Sequence, residues 1–244
     1  MDEIETPRAG WWNMAVDEAI LQGVNEGASP PTLRFYRWAE PTISLGYFQK
    51  FEEYLAQDEQ IRRMPLVRRQ TGGGAILHDD ELTYALVLGL EGRQGPEIEG
   101  FYRLVHDAFR AVLERWGVRA AYRGQEERGN AQRGPFFCFS RKHRLDLVVG
   151  QDKLLGSAQR RIKKAVLQHG SLILGRHFAQ QESAELAREV QGSFDLAELV
   201  AATAGQVAAR LNSEMVQGEL NAYERSRLAE LEAKYAGRAW NRQR

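Results

Sequence analysis

The sequence predicts an α+β fold (α/β in the looser sense), a mixed, largely antiparallel sheet flanked by helices. Three observations carry that prediction. Short β-rich runs bounded by glycine and proline recur between residues 32 and 174. One long amphipathic stripe interrupts them near the middle of the chain. From Asp195 onward the periodicity is helical only, and strands followed by terminal helices favour antiparallel pairing over strict βαβ alternation.

The elements follow in order. Asn13 is placed to cap a helix from Met14 to about Val24, whose apolar positions include Met14, Ile20, Leu21 and Val24. Pro30-Pro31 closes that segment, and Thr32 to Trp38 and Thr42 to Tyr47 read as strands. A basic strand opens near residue 66, breaks at Gly72-Gly73-Gly74, and gives way to an apolar strand from Leu82 to Leu88. The clearest helix runs from about Glu97 to Trp116, with Gly117 suited to its C-terminal cap. Arg123 to Pro135 is polar and glycine-containing, which predicts a mobile loop. Strands are predicted at Leu145 to Val149, Lys153 to Gln159 and Ala165 to Leu174, the first two joined by a Gly150-Gln151-Asp152 turn. Asp195 with Glu198 has the spacing of a capping box, and Leu220, Tyr223, Leu228, Leu231 and Tyr235 form a last stripe ending at Gly237. No linker composition appears, so residues 1–244 are expected to form one domain with a helical C-terminal part at about 178–240.

Of the 244 residues 43% are hydrophobic, enough for a substantial core. The 33 basic and 33 acidic side chains cancel, so global charge draws the chain to neither nucleic acid nor membrane, and attraction must be local. No apolar run approaches the ~20 residues of a membrane helix. Asp2, Glu3 and Glu5 precede any apolar stretch, unlike a secretory signal. A lone cysteine, Cys138, excludes an internal disulfide and suits a reducing compartment. The expected location is cytoplasmic.

Chemistry concentrates in four places. Gly72, Gly73 and Gly74 allow positive φ and close backbone approach to a ligand, or form a tight turn. No Lys-Ser/Thr follows them, so they are not a P-loop. Arg68 and Arg69 flank them and could hold an anionic donor group, while Thr71, His78 and Asp79 border the same segment. Cys138 is either a buried small residue or a nucleophile. Residues 133–164 hold nine Lys/Arg against two acids, and positive surroundings favour the thiolate. Lys153 precedes Gly156-Ser157-Ala158; it is either a solvated hairpin lysine or a cation reaching into a cleft to polarise a carbonyl. Gln168-His169-Gly170-Ser171 interrupts an apolar strand, which suggests close approach of another group there.

Together these segments resemble the biotin/lipoate protein ligase superfamily, its lipoate branch most closely. The resemblance rests on Asn13 to Ala19 (NMAVDEA), Pro31 to Tyr36, Pro41 to Gln49, Arg68 to Tyr84 (RRQTGGGAILHDDELTY), Cys138-Phe139, Lys153 to Arg161 and Val166 to Ser171 (VLQHGS). It covers about residues 10 to 175. It implies the lipoate/biotin protein ligase catalytic fold with a tunnel for an acyl chain. The Arg68–Gly74 segment would line that tunnel, and Lys153 would contact the acyl carbonyl. Substrate contacts are then expected from Arg68, Arg69, Thr71, Gly72, Gly73, Gly74, His78, Gly156, Ser157, Ala158 and His169.

Two chemistries compete within such a family. The segments are most similar to cysteine-dependent octanoyltransferases of the octanoyl-[glycine cleavage protein H] type, because Cys138 falls about fifteen residues before Lys153. That resemblance implies octanoyl (or lipoyl) transfer from acyl carrier protein to a lysine of a lipoyl-domain protein, such as glycine cleavage H protein. It implies a Cys138 thioester, no cofactor and no metal. The alternative is an ATP-dependent lipoate-protein ligase using Mg²⁺, with Arg68, Arg69 or the 123–135 loop at the phosphates. Gly74 and Asp146 lean towards ligases, and Lys164 replaces an expected glycine. A lipoyl amidotransferase and a non-catalytic binding module complete the alternatives.

Overall fold

A computed structural model describes residues 4–90, 98–124, 136–137, 143–175 and 183–244. In chain order the elements are α1 (Gly10–Asn25), β1 (Thr32–Tyr36), β2 (Thr42–Leu45), α2 (Phe51–Leu55), α3 (Glu59–Arg63), β3 (Leu66–Arg68), β4 (Ile76–His78) and β5 (Glu81–Gly89). There follow α4 (Ile98–Arg115), β6 (Ala121–Tyr122), β7 (Leu147–Val149), β8 (Asp152–Arg161) and β9 (Ala165–Ile173). Four helices complete the described chain: α5 (Leu186–Glu189), α6 (Leu196–Leu211), α7 (Ala222–Ala236) and α8 (Arg238–Asn241).

Six strands form an antiparallel sheet in the order β1-β5-β9-β8-β7-β6. A second sheet, β3-β2-β4, is mixed: β2 is parallel to β3 and antiparallel to β4. The expected mixed, largely antiparallel architecture is therefore present. Period-2 alternation sends Leu82, Tyr84, Leu86 and Leu88 to the face covered by α4 and α6, where they pack with Phe109, Val112 and Leu199. Ala85, Val87, Ala165 and Leu167 face the other way, against Met14, Val16 and Ile20 of α1 and Leu228 and Leu231 of α7. The small sheet has its own apolar cluster around Ile43, Leu45 and Leu77.

Several expectations are corrected. Helix α1 begins at Gly10, four residues before the predicted start at Met14, and Asn13 is not its cap. The Asn13 amide instead donates to the carbonyls of Arg8 and Arg37, tying the helix to the end of β1. Asp195 does cap α6 by accepting from Ala197 and Glu198 N–H groups, whereas the reciprocal capping box lies at Asn221 and Glu224 on α7. Strands β1 and β2 end at Tyr36 and Leu45, short of Trp38 and Tyr47. Most of the loop predicted at 123–135 lies outside the described residues.

The last helix pins the glycine-bearing segment. Asn241 is buried; its Oδ1 accepts from the Arg68 N–H at 2.8 Å, and its Nδ2 donates to the carbonyls of Tyr235 and Gly237. Removing that amide strands three backbone groups, each costing about 1–3 kcal/mol if left unpaired. Asn241→Ala is expected to lower urea-unfolding stability by about 3 kcal/mol, given partial relief by water; equilibrium denaturation read by tryptophan fluorescence checks this.

Candidate active site

The site sits on the α1 face of the large sheet. Cross-strand register places Gly156, Ser171, Thr83 and Tyr36 in one row across β8, β9, β5 and β1. The next row holds Ala158, His169, Ala85 and Arg34. Gly156, Ser171 and Thr83 in the first row, and Ala158 and Ala85 on either side of His169 in the second, are small and leave a hollow. The result is a narrow cleft, partly open to solvent. Its lining includes Met14, Tyr36, Trp38 and Lys153, with Ile76 and His78 from β4 and Arg69 directly after β3.

Lys153 is buried in this cleft and pairs with buried Asp146, Nζ to Oδ2 at 2.9 Å. The solvated-lysine reading of the sequence is thereby excluded. Gly156 makes room for it, since a β-carbon there would press on the Lys153 side chain at 3.2 Å. Asp146 is fixed in turn by the His143 N–H at 2.9 Å. Gly170 is required by close approach: a β-carbon would collide with Ser157 Oγ and the Gly156 carbonyl.

Arg69 organises the other side. Its guanidinium donates to the carbonyls of Ser44, Gly72 and Gly74 and to the hydroxyls of Ser44 and Thr71. Gly73 has φ +95°, a conformation that favours glycine, and its carbonyl packs so closely on Gly46 that no β-carbon fits there. Ser44 Oγ lies 2.7 Å from His78 Nε2, and His78 Nδ1 lies 2.7 Å from Glu81 Oε1. Thr71 Oγ1 lies 2.6 Å from His169 Nε2, and His169 Nδ1 lies 3.3 Å from Asp17 Oδ2. Both hydroxyls accept from Arg69, and a hydroxyl that also donates to its histidine leaves the imidazole proton on Nδ1, facing the carboxylate. Two carboxylate–histidine–hydroxyl chains thus converge on one arginine.

Arg68 and Arg69, expected at the substrate, are both engaged with backbone carbonyls. Arg68 is fully buried and donates to the carbonyls of Gly46, Gln49 and Asn241, so it braces a loop and does not line the cleft. Arg69 does line it, but its donors hold the glycine segment and not an external anion. His78, Gly156, Ser157, Ala158 and His169 line the same cleft. Thr71 supports it through His169, and Gly72 and Gly74 through Arg69. Cys138 lies outside the described residues. The preceding residue, Phe137, bridges to Ala75 directly after the glycines, and the Phe136 carbonyl accepts from the Ala75 N–H. Among the described residues no group of three or more His, Cys, Asp or Glu could hold a metal, and no helix is long and apolar enough to cross a membrane.

Residues 9–188 match the family model of the lipoyl protein ligase A/B catalytic domain. The chain belongs to that family. Among curated relatives it is similar to the octanoyltransferase LipM of Moorella thermoacetica, 36% identical with 95% of this chain and 93% of that one covered. It is also similar to the octanoyltransferase LipM of Clostridioides difficile, 30% identical with 96% and 95% covered. In fold it matches Ta0514 of T. acidophilum, a putative lipoate protein ligase solved with bound lipoic acid, at a TM-score of 0.77 and 24% identity over 97% and 96% of the two chains. A lipoate-protein ligase A bound with ATP gives 0.75 at 24% identity over 95% and 93%. At such identities the two structures establish the lipoate-ligase fold alone.

Sequence reasoning missed Asp17, Ser44, Glu81 and His106. A signal existed for two of them: Asp17 interrupts an apolar helix face, and Glu81 opens an otherwise apolar strand. His106 is buried behind the cleft, with Nδ1 on the Leu145 carbonyl and Nε2 on Ser157 Oγ, which also meets the Tyr84 hydroxyl. Burial pushes the His106 imidazole down to about 4, and burial likewise lowers His78, so both are neutral at pH 7. Because unfolded histidine titrates near 6.5, the unfolded chain binds the extra proton first as pH falls. Stability from His106 is therefore complete above about pH 6.5 and lost as pH drops towards 4, by about 3 kcal/mol in all. His106→Gln should decline less steeply than the parent across that window, as measured by urea midpoints at successive pH values.

Proposed function

We propose that this protein transfers an octanoyl group from a carrier thioester to a lysine of a lipoyl-domain protein through a thioester on Cys138. One observation carries the reading. Nearly every polar group that lines the cleft is already bonded to protein, so the cleft offers an apolar chain a surface without stranded donors. The Thr83 and Ser171 hydroxyls donate to Glu81, and the Tyr36 hydroxyl donates to Asp17. His78 and His169 use both ring nitrogens. The ammonium at one edge, Lys153, is the charge best placed to meet a carbonyl. An unbranched acyl chain with one polar end has that pattern.

The family membership and the names of the relatives support octanoyl transfer. Engagement of Arg68 and Arg69 with backbone carbonyls supports the transferase over a ligase that would spend them on phosphates. The Cys138 thiolate attacks the carrier thioester carbonyl, and Lys153 stabilises the oxyanion that develops. The carbon–sulfur bond to the carrier then breaks, and the carrier leaves as a thiol. The acceptor lysine, as the free amine, attacks the acyl-enzyme; its carbon–nitrogen bond forms as the bond to Cys138 breaks, and the thiol recovers a proton. One thioester replaces another before the amide forms, so no ATP, metal or cofactor is needed. Acyl carrier protein is the proposed donor and glycine cleavage H protein the model acceptor. Exposed Arg161, Lys163 and Lys164 at the β8–β9 turn give acidic partners a local attraction.

Incubation with octanoyl-acyl carrier protein should add one octanoyl mass, mapped to Cys138 and removed by hydroxylamine. Cys138→Ser with full transfer activity and no adduct in the parent would reject the covalent route. Lipoate-dependent pyrophosphate release from ATP would install the ligase reading in its place. Lys153→Met should lose about 10²–10³ in kcat, the usual cost of removing one oxyanion donor, as measured by single-turnover transfer, with thermal unfolding reporting separately the cost of leaving Asp146 buried without its partner.

A further inference from the structure

We infer that Met14 ends the acyl channel and so sets the chain length this protein accepts. The inference rests on the acyl-transfer reading of the cleft. Four of the cleft's lining residues form one row across the strands. The row crosses β8 at Gly156, β9 at Ser171, β5 at Thr83 and β1 at Tyr36. Strands lie about 4.8 Å apart, so β8 to β5 spans about 9.6 Å and β1 adds one more spacing. An extended eight-carbon acyl chain, with bonds near 1.52 Å at near-tetrahedral angles, reaches about 9 Å. A carbonyl held beside Lys153 at the β8 side therefore leaves the chain's last carbon above β5, facing the wall that stands over β1.

Tyr36 of β1 and Trp38 just beyond it line that end, and Met14 lines the cleft with them from α1, the helix whose Asn13 and Asp17 bond Arg34 and Tyr36. Two of the three are fixed. The Tyr36 hydroxyl donates to Asp17 at 3.0 Å, and its ring lies 4.0 Å from the Arg34 guanidinium. Trp38 donates Nε1–H to Thr83 at 2.8 Å and stacks on His78 with ring centres 3.7 Å apart. Met14 has only packing to hold it: it projects from α1, is buried, and its thioether side chain is unbranched and adaptable. The channel's length is thus adjustable at Met14 without disturbing a hydrogen bond.

The test measures dissociation constants of straight-chain saturated fatty acids from six to fourteen carbons, by calorimetry, on the full chain. For the parent, affinity should rise about fourfold per methylene up to eight carbons and then stop rising. Met14→Ala should move that break about two carbons longer, and Met14→Phe should move it shorter; thermal unfolding confirms that each variant is folded. Opposite shifts from one position are not expected of general damage. A break that stays at eight in both folded variants, or a parent with no break up to fourteen, overturns the inference. A break that shifts as described, in a protein that forms no acyl adduct from octanoyl-carrier, would leave the channel assignment standing and remove the acyl-transfer reading.

Discussion

The Arg69 guanidinium is the constraint on which the rest depends. It is a buried cation whose donors reach three carbonyls and two hydroxyls. A charge so placed is tolerable only when its donors are met and opposite charge lies close. Carboxylates at Asp17 and Glu81 supply that charge, one histidine away on either side. Asp17 is itself held by Arg34 at 2.7 Å and by the Tyr36 hydroxyl. Burial opposes charge on Glu81, but His78 and the Thr83 and Ser171 hydroxyls outweigh it and keep the carboxyl below its usual range. The network thereby welds the glycine segment, the small sheet and the central strands into one frame.

Its functional consequence is indirect. Because these polar groups bind one another beneath and beside the cleft, they do not compete for what enters it. The hollow itself comes from small residues on neighbouring strands, and Lys153 with Asp146 gives it a polar edge. A half-satisfied version of the same network would favour water in the cleft, and an apolar chain would have to displace it. Satisfaction of the frame and room for the acyl chain are therefore two sides of one arrangement.

Elements with long periodicity were legible in the sequence. The central helix and strands β5, β8 and β9 were found with ends close to those observed, since each carries a full amphipathic or apolar pattern. Strand β4 and helices α2 and α3 were not, because three to five residues hold too little pattern to register. At the site, the glycines, His78, His169 and Lys153 were legible as residue types at particular places. What Arg68 and Arg69 do was not, because a guanidinium beside a glycine run suits an anion or three backbone carbonyls equally well. Cross-strand register decides which small residues share a floor, and register is fixed by pairing that no single strand reveals.

The central claim is that an acyl chain lies across the sheet with its carbonyl at Lys153. The most direct measurement is a crystal structure of the protein soaked with octanoate. The account predicts a carboxylate oxygen within hydrogen-bonding distance of Lys153 Nζ and methylenes passing over Gly156, Ser171 and Thr83 towards Met14. Octanoate bound elsewhere, or lying in this cleft with its carboxylate turned away from Lys153, would contradict it.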